Sequence, residues 1–367
     1  MKVYFYNASC GDAFRIEFEG ISGKRKNILI DSGYQRTFRD LLSNEISSIE
    51  AEGDNIDLCV LTHIHDDHIG GIETYINAIL AGRANDIILQ WWFNPPRPAK
   101  PVAKKQGRTS VAKSITQGDT ITNYLDSKDA LPESPIISSL CPYELDGMKI
   151  YILSPDEHSL KKLTKKYSDP KVKLESIEDE ETSKAKAGDE RDYHKTVDDF
   201  DFSRWTQDKS IENGSSIALL TEFNGKKILW LADAFPSVIV SSLEALGYSK
   251  SNPLVCDYVK VAHHGSWGNN GSKLYELIKC RKYILSTDGY NTSGLPAKVC
   301  LVEILNNQGR TNTDHYIFYM TRNDPVLRTI FDIDGDEVYK NLNFELACNF
   351  ASRYGTFQRL AIFVRNN

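Results

Sequence analysis

The chain has 367 residues, enough to bury a large core and to form one large α/β domain or two ordinary ones. Its formal net charge of −6 excludes the global basic field of a nucleic-acid coat protein, so any contact with nucleic acid has to be local. Seven dispersed cysteines without a C-x-x-C pair favour reduced thiols over a disulfide framework, and no segment approaches the ~20 apolar residues of a membrane span. These features predict a cytoplasmic protein with no membrane contact.

The first hundred residues alternate between predicted strands and helices. Apolar periodicity and turn residues predict strands over 2–6, 13–18 and 26–31, a helix over 36–47, a strand over 56–61, a helix over 71–80 and a strand over 86–90. An order of this kind is typical of α/β proteins, which place their functional residues where strands end.

One loop in this region carries a high density of metal-binding side chains. Three of the eight histidines lie within the six residues 63–68, the metal loop, directly after the predicted strand 56–61. Neutral imidazole and carboxylate are the usual ligands of zinc, manganese or iron, and the alternation of His63 and His65 lets both side chains point the same way. A solvated polar loop is a poor alternative because so few histidines are available in the whole chain.

The spacing His63-x-His65-x-Asp67-His68, followed by Gly70-Gly71, resembles the signature of the metallo-β-lactamase-fold hydrolase superfamily. Other segments occur in the order seen in the branch typified by the hydrolase domain of the DNA-uptake competence protein ComEC. These segments are 7–14, 28–33, 213–216, 231–234 and 259–266. The resemblance implies an α/β fold, a four-layer αββα sandwich with a large insertion, and a metal-dependent hydrolase.

The resemblance also implies a set of metal ligands. One cation is expected on His63 and His65, a second on Asp67, His68 and His264, with Asp233 bridging the two. The expected cofactors are therefore two divalent metal ions, zinc or manganese. Two such cations some ~3.5–4 Å apart lower the pKa of a shared water and so supply a hydroxide for hydrolysis.

Further residues are expected around the metals. Asp31, at the end of a predicted strand, is expected to support a metal-binding histidine, and a turn-forming aspartate is the alternative. Asn213 stands at a position where many superfamily members supply another histidine, and the ComEC-type branch also has an asparagine there. His263 is a candidate proton donor and Ser216 a candidate hydroxyl for a bound oxyanion, against the alternatives of a supporting histidine and a capping serine. Asp67 and His263 are thus the predicted catalytic residues.

The middle of the chain matches nothing in the family. The hydrolase domain is therefore predicted over 1–93 and 213–367, interrupted by an insertion at 94–212. Within that insertion a strand pair is predicted over 139–154, and a helix after it.

Two charged stretches lie within the insertion. The stretch 97–113 carries six basic side chains and no acidic one, and Asn94-Pro95-Pro96 separates it from the three aromatic residues 91–93. It could hold a phosphate backbone, and a solvated loop is the alternative; the candidate nucleic-acid contacts are Lys104, Lys105 and Arg108. The stretch 175–201 holds eleven acidic residues against four basic, which predicts an exposed, partly disordered segment or a surface for a protein partner.

Regular periodicity returns after residue 215. The predicted elements are strands over 216–223 and 227–232, a helix over 237–246, a strand over 256–262, a helix over 271–279, a strand over 282–286, a helix over 296–306, a strand over 314–320, a hairpin over 330–336 and a closing strand over 360–364. Asp233 and the pair His263-His264 follow predicted strands, so both are expected on the rim that carries the metal loop.

The favoured function is a metal-dependent phosphodiesterase or nuclease that cuts DNA, RNA or a nucleotide. The same metal centre would serve a hydrolase of another ester, a thioester or a lactam, because a fold does not fix the substrate. The remaining alternative is a regulatory module in which the acidic stretch binds a partner and the metal site is residual.

Overall fold

Two β-sheets face each other in the computed structural model, which describes residues 1–99, 110–168, 191–311, 313–348 and 359–363. The strands are β1 (Lys2–Tyr6), β2 (Phe14–Glu19), β3 (Arg25–Ile30), β4 (Leu58–Val60), β5 (Trp91–Trp92), β6 (Tyr143–Leu145), β7 (Met148–Ser154), β8 (Ala218–Phe223), β9 (Lys226–Trp230), β10 (Leu254–Val255), β11 (Tyr258–Lys260), β12 (Ile278–Lys279), β13 (Lys282–Leu285), β14 (Tyr316–Met320), β15 (Phe344–Ala347) and β16 (Arg359–Phe363).

The helices lie outside the two sheets. They are α1 (Gln35–Thr37), α2 (Ser43–Ala51), α3 (Asp66–Leu80), α4 (Ser110–Ser127), α5 (Glu157–Ser168), α6 (Ile211–Gly214), α7 (Pro236–Ala245), α8 (Ser272–Glu276), α9 (Lys298–Leu305), α10 (Pro325–Arg328) and α11 (Glu337–Asn341), and a π-helical turn, Phe38–Leu42, joins α1 to α2. Among these described helices none has the length and apolar character needed to cross a bilayer.

Each sheet combines an antiparallel part with a parallel part. In the described part of the chain the first sheet has six strands in the order β16-β1-β2-β3-β4-β5, and the second has eight in the order β15-β14-β13-β11-β9-β8-β7-β6. The pairs β3/β4 and β4/β5 are parallel in the first sheet. The pairs β9/β11, β11/β13, β13/β14 and β14/β15 are parallel in the second. The short strands β10 and β12 form a separate parallel pair.

The alternation of side chains along β1 shows how the layers form. Val3 and Phe5 point into the core between the two sheets, where they meet side chains of the second sheet such as Trp230. Tyr4 and Tyr6 point the other way, into a core shared with helices α2 to α5. A third core joins the outer face of the second sheet to helices α7 to α11. The predicted α/β fold, a four-layer αββα sandwich, is confirmed.

Most of the predicted elements are present, with two notable differences. The strand predicted over 86–90 lies slightly later, as β5, because Ile88 makes only a single bridge to Ile56. The hairpin predicted over 330–336 is wrong. A 3-10 turn at Asp332–Asp334 and helix α11 stand there instead, and the buried side chain of Asp334 pairs with Lys298 rather than alternating outward from a strand.

The segment 94–212 contributes more regular structure than its sequence predicts. Its strands β6 and β7 extend the second sheet by pairing with β8. Helix α4, which the sequence did not predict, packs on α3 in the outer layer of the first sheet. The domain boundaries at 93 and 213 stay a prediction. The candidate contacts Lys104, Lys105 and Arg108, with most of the acidic stretch, lie outside the described residues.

The packing between the sheets gives the first test. Trp230 stacks 5.7 Å from Phe5 and 5.5 Å from Phe14 between ring centroids, and its Nε1 donates to Thr221 Oγ1 at 3.0 Å. We expect Trp230→Ala to lower the free energy of unfolding by about 3–5 kcal/mol, because the cavity cannot close fully. Urea unfolding followed by circular dichroism measures this. The control is Leu140→Ala at a position that is 59% exposed, which should change stability by less than about 0.5 kcal/mol. Equal effects of the two substitutions would contradict the packing described.

Candidate metal centre

The carboxyl ends of two parallel strand pairs, one pair in each sheet, bring the predicted metal ligands together. The metal loop follows β4, and Asp31 follows its neighbour β3 in the first sheet. Asp233 lies shortly after β9, and His264 lies shortly after the neighbouring β11 in the second sheet. A hydrogen bond from Ile217 N to Thr62 O, 2.9 Å long, connects the two sheets beside the loop. The centre therefore forms where the carboxyl ends of both sheets meet.

Two groups of ligand atoms converge at this place. One comprises His63, His65 and Asp233, the other Asp67, His68 and His264, and within each group the ligand atoms lie within 4.8 Å of one another. Asp233 lies between the groups, since its Oδ2 is 3.7 Å from His63 Nε2 and 3.5 Å from His68 Nε2. All six predicted metal ligands are thus brought together.

The buried polar atoms of the centre fit divalent cations. His68 Nε2 and Asp233 Oδ1 are buried and make no hydrogen bond within the described residues. Buried polar atoms of this kind are rare unless a ligand satisfies them. Imidazole nitrogens combined with carboxylate oxygens are a donor set that zinc and manganese accept.

Asp31 holds His68 in a fixed orientation. The carboxylate is buried, and its Oδ2 accepts from His68 Nδ1 at 2.7 Å. Thr62 holds the carboxylate in turn, through its backbone N–H at 2.8 Å and its hydroxyl at 2.7 Å. With the proton of His68 on Nδ1, Nε2 faces Asp67 and Asp233, each 3.5 Å away. This is the arrangement by which carboxylates commonly orient metal-binding histidines.

Burial and neighbouring charges strongly shift the pKa values of the side chains in the centre. Burial, with His68 and His65 nearby, lowers the pKa of His63 well below its ordinary value, so this imidazole is neutral. Burial alone would raise the pKa of Asp67, but His68 and His264 outweigh it and hold that pKa far below its usual range. A neutral imidazole and an ionised carboxylate are the forms that bind cations.

His68 differs because carboxylates surround it. Burial lowers the pKa of His68, but the carboxylates of Asp233, Asp67 and Asp31 outweigh burial and raise that pKa well above its ordinary value. In the absence of a cation, a proton on His68 therefore balances part of the carboxylate charge. A cation has to displace this proton when it binds.

The turn after β11 presents two successive histidines. His263 and His264 have φ angles of 43° and 53°, in the left-handed region that side chains other than glycine seldom adopt. His264 Nδ1 donates to Ser286 O at 2.7 Å, and its Nε2 lies 3.1 Å from Asp67 Oδ2. Ala232, before Asp233, has a φ of 46°, so it adopts a conformation that glycine would adopt with less strain.

A polar network surrounds His263. Its Nδ1 donates to Asn269 Oδ1 at 2.8 Å, and its Nε2 lies 3.6 Å from Asp233 Oδ2. Asn213, which is buried, donates from Nδ2 to Asp208 Oδ2 at 2.7 Å, and this amide nitrogen lies 3.5 Å from His263 Nδ1. Asn213 thus lies beside His263.

Ser216, the candidate for binding an oxyanion, follows Asn213 closely in the chain. Ser216 is buried, and its Oγ makes no hydrogen bond within the described residues. It directly precedes Ile217, whose backbone joins the metal loop. The roles predicted for His263, Asn213 and Ser216 stay predictions.

Several residues around the centre were not found from the sequence. Asp66, in the first turn of α3, accepts from Lys113 Nζ and from Gln117 Nε2 of α4, each at 2.7 Å. Glu212 is buried and accepts from Lys166 Nζ at 2.7 Å. Burial alone would raise the pKa of Glu212, but the charge of His65 and the contact with Lys166 outweigh burial and lower that pKa below its ordinary value. Asp66 lies inside the sequence motif of the metal loop, so the sequence alone could have drawn attention to it. Its partners on α4 are brought to it only by the fold.

One comparison with known proteins agrees with this geometry. A family model described as the metallo-beta-lactamase superfamily matches residues 14–86. The matched segment contains Asp31 and the whole metal loop, and it ends before Asp233 and His264. A comparison with curated proteins found no match.

The matched segment, the four-layer fold and the two ligand groups point to the same class of protein. Members of the metallo-β-lactamase superfamily are mostly metal-dependent hydrolases. The chain accordingly carries a segment of this superfamily at residues 14–86, and its features indicate a metal-dependent hydrolase.

The hydrogen bond between Asp31 and His68 gives the second test. We expect Asp31→Asn to weaken divalent metal binding about 10–100-fold, because His68 loses the carboxylate that orients it. Competition with a chromogenic chelator measures the affinity. The matched control is Asp332→Asn, at an exposed carboxylate of the 3-10 turn Asp332–Asp334. An unchanged affinity in a folded Asp31→Asn variant would show that this carboxylate is only a turn residue.

Proposed function

We propose that this protein is a phosphodiesterase or nuclease that works with two divalent cations, zinc or manganese. The observation that carries the proposal is the pair of ligand groups, with Asp233 lying between them. His63, His65 and Asp233 would hold one cation, and Asp67, His68 and His264 the other, with Asp233 between them. Divalent cations at such a centre lower the pKa of a coordinated water and neutralise charge on the entering and leaving oxygens.

The protein's own residues prepare the centre for this chemistry. Asp31 and the carbonyl of Ser286 fix the tautomers of His68 and His264, so that both present Nε2. Asp67, which we propose as a catalytic residue, is partly exposed and so lies on the solvent side of the centre. Asp233 is buried beneath. A substrate therefore has access from the side of Asp67.

His263 is proposed to handle the proton of the leaving group. Its Nδ1 donates to Asn269, which leaves Nε2 as the atom that exchanges a proton. The side chain is 18% exposed, in contrast to the fully enclosed His63 and His68, so a substrate can reach it. Imidazole is the side chain best suited to transfer protons in both directions near neutral pH. Asn213 and Ser216 are proposed to contribute an amide and a hydroxyl to substrate binding.

Basic side chains near the centre support a phosphodiester substrate. Lys113 is 45% exposed and binds Asp66, next to Asp67. Lys166 is 28% exposed and binds Glu212, whose carboxylate interacts with His65. The basic stretch 97–113 leads directly into α4, where Lys113 lies. Both lysines are paired with carboxylates, so the positive charge that suits the phosphate groups of a nucleic acid or nucleotide comes from the rest of the stretch 97–113, in a chain of net charge −6.

Three further expectations belong with this proposal. The sequence motifs of the protein favour the ComEC-type branch of the superfamily. The acidic stretch 175–201 is proposed as a surface for a protein partner. The dispersed, reduced cysteines favour a cytoplasmic location.

The third test removes single ligands. We expect His65→Ala and Asp67→Ala to reduce turnover by more than the ~10–100-fold typical of losing a residue that only supports a ligand. Turnover is measured on bis-p-nitrophenyl phosphate and on single- and double-stranded DNA and RNA with added manganese or zinc. Metal content is measured by mass spectrometry on protein purified without chelator. His194→Ala is the control, because this histidine is exposed and contacts Arg191 O outside the centre.

The outcomes of this experiment separate the candidate functions. Close to two metals per chain and phosphodiester cleavage that both ligand variants lose would support the proposal. Cleavage retained in metal-checked variants would overturn the mechanism. Bound metal without cleavage would favour a hydrolase of another ester, a thioester or a lactam, and absence of both would favour a regulatory module.

The fourth test addresses the basic stretch. We expect substitution of Lys104, Lys105 and Arg108 by glutamine to weaken nucleic-acid binding and to reduce the slope of log K against log salt. The reduction should be about 0.7–0.9 for each phosphate that the variant no longer neutralises. Fluorescence anisotropy at several salt concentrations measures both quantities.

The matched control for this test removes the same number of positive charges elsewhere. Lys161, Lys162 and Lys165 are exposed lysines of α5, and their triple glutamine variant should keep a steeper slope. Identical slopes in the two triple variants would mean that the basic stretch is a solvated segment without a specific role.

A further inference from the structure

A buried aspartate that the sequence did not single out lies beside the metal centre. Asp12, between β1 and β2, is 0% exposed. Its backbone N–H donates to Asp67 O at 3.0 Å, and its carbonyl accepts from Gly33 N at 2.7 Å. A Cβ on the preceding Gly11 would lie only 2.5 Å from Asp67 O, so the close approach requires glycine. The backbone of Asp12 is thus tied to the metal loop and to the turn after β3.

The carboxylate of Asp12 has one oxygen in an ion pair and one without a hydrogen bond. Lys260, whose side chain is 1% exposed, pairs with Oδ2. Oδ1 lies 3.5 Å from His264 Nδ1, but that nitrogen donates to Ser286 O. Within the described residues Oδ1 makes no hydrogen bond. A fully buried ion pair is costly to desolvate, and a buried carboxylate oxygen left without a partner adds to that cost.

Three atoms without hydrogen bonds come from residues that meet at this place. Asp12, His68 and Asp233 each offer a ligand atom within 4.8 Å of the others. All three side chains are buried, and Asp12 Oδ1, His68 Nε2 and Asp233 Oδ1 have no hydrogen-bond partner among the described residues. A bound cation is the simplest group that satisfies one nitrogen and two carboxylate oxygens together.

We propose that Asp12 is a further ligand of the metal centre, for the cation held by Asp67, His68 and His264. This assignment rests on the proposed function, because it needs a cation in that group. Lys260 occupies one carboxylate oxygen and leaves the other for the cation. The ion pair also keeps the added carboxylate from contributing a full negative charge.

The assignment makes the two cation positions chemically unequal. The first position has two imidazoles, His63 and His65, and shares Asp233. The second would gain an oxygen donor from Asp12 beside that of Asp67. Oxygen-rich sites favour harder cations such as manganese, whereas nitrogen-rich sites suit zinc. A centre of this composition would take up the two metals with different preferences at its two positions.

The test compares Asp12→Asn with the double variant Asp12→Asn/Lys260→Met. The single variant leaves Lys260 as an unpaired buried cation, which by itself would repel metal ions. The double variant removes both charges, so it isolates the loss of the donor oxygen. Metal stoichiometry is measured by mass spectrometry, and the affinities for Mn²⁺ and Zn²⁺ by chelator competition, on the full chain.

The expected result is a loss confined to one cation. Both variants should bind one cation as wild type does and the second at least about 10-fold more weakly, in the range found when groups around a metal are altered. Lys260→Met alone should retain two cations, because Asp12 is still present. Wild-type affinity for both cations in the double variant would overturn the assignment and leave Asp12 as the ion-pair partner of Lys260.

Two further observations keep the outcome decisive. If wild-type protein binds no cation, the proposed function fails together with this assignment, and that result is seen before any variant is made. If the variants do not fold, as judged by circular dichroism, anomalous diffraction from metal-loaded wild-type crystals decides. An Asp12 oxygen at about 2.0–2.6 Å from a cation supports the assignment, and a separation beyond about 3.5 Å overturns it.

Discussion

The concentration of negative charge at the edge between the two sheets constrains the rest of the structure. Asp12, Asp31 and Asp233 are buried close to the partly exposed Asp67, and Lys260 pairs with Asp12. So many ionised carboxylates are stable away from water only if positive charge compensates them. The raised pKa of His68 is one response to this charge, and a divalent cation at the candidate ligand groups would compensate more of it.

The fold meets this constraint by dividing the centre between its halves. The first sheet supplies the metal loop and Asp31, the second supplies Asp233 and His264, and the backbone bond from Ile217 to Thr62 holds the two sides in register. Neither sheet alone contains a full ligand group. The centre therefore exists only when the two sheets are packed together, and a cation that binds only the assembled centre would stabilise the whole fold.

Much of the fold and of the candidate site could be predicted from the sequence because the relevant signals are local. Strand periodicity placed the metal loop, Asp233 and His264 at strand ends, which is sufficient to predict that they meet. The ion pair between Asp12 and Lys260 could not be predicted in this way, since 248 positions separate its members and a lysine in an apolar strand is expected to face water. Helix α4 was not predicted because the basic stretch that leads into it and its widely spaced apolar residues favour a loop. The hairpin near residue 330 was predicted wrongly because aspartates alternate with apolar residues there, as they would in a strand. In the structure these aspartates lie in a 3-10 turn, and one of them forms an ion pair.

The contact between α4 and the metal loop has a consequence for substrate size. Gln117 and Lys113 hold Asp66, one position before Asp67, and the basic stretch leads into the same helix. Under the proposed function, a polymer that contacts both α4 and the centre would press on the helix that holds the loop, whereas a small diester would contact the centre alone. Chain length would then influence turnover separately from the chemistry of the bond that is cut.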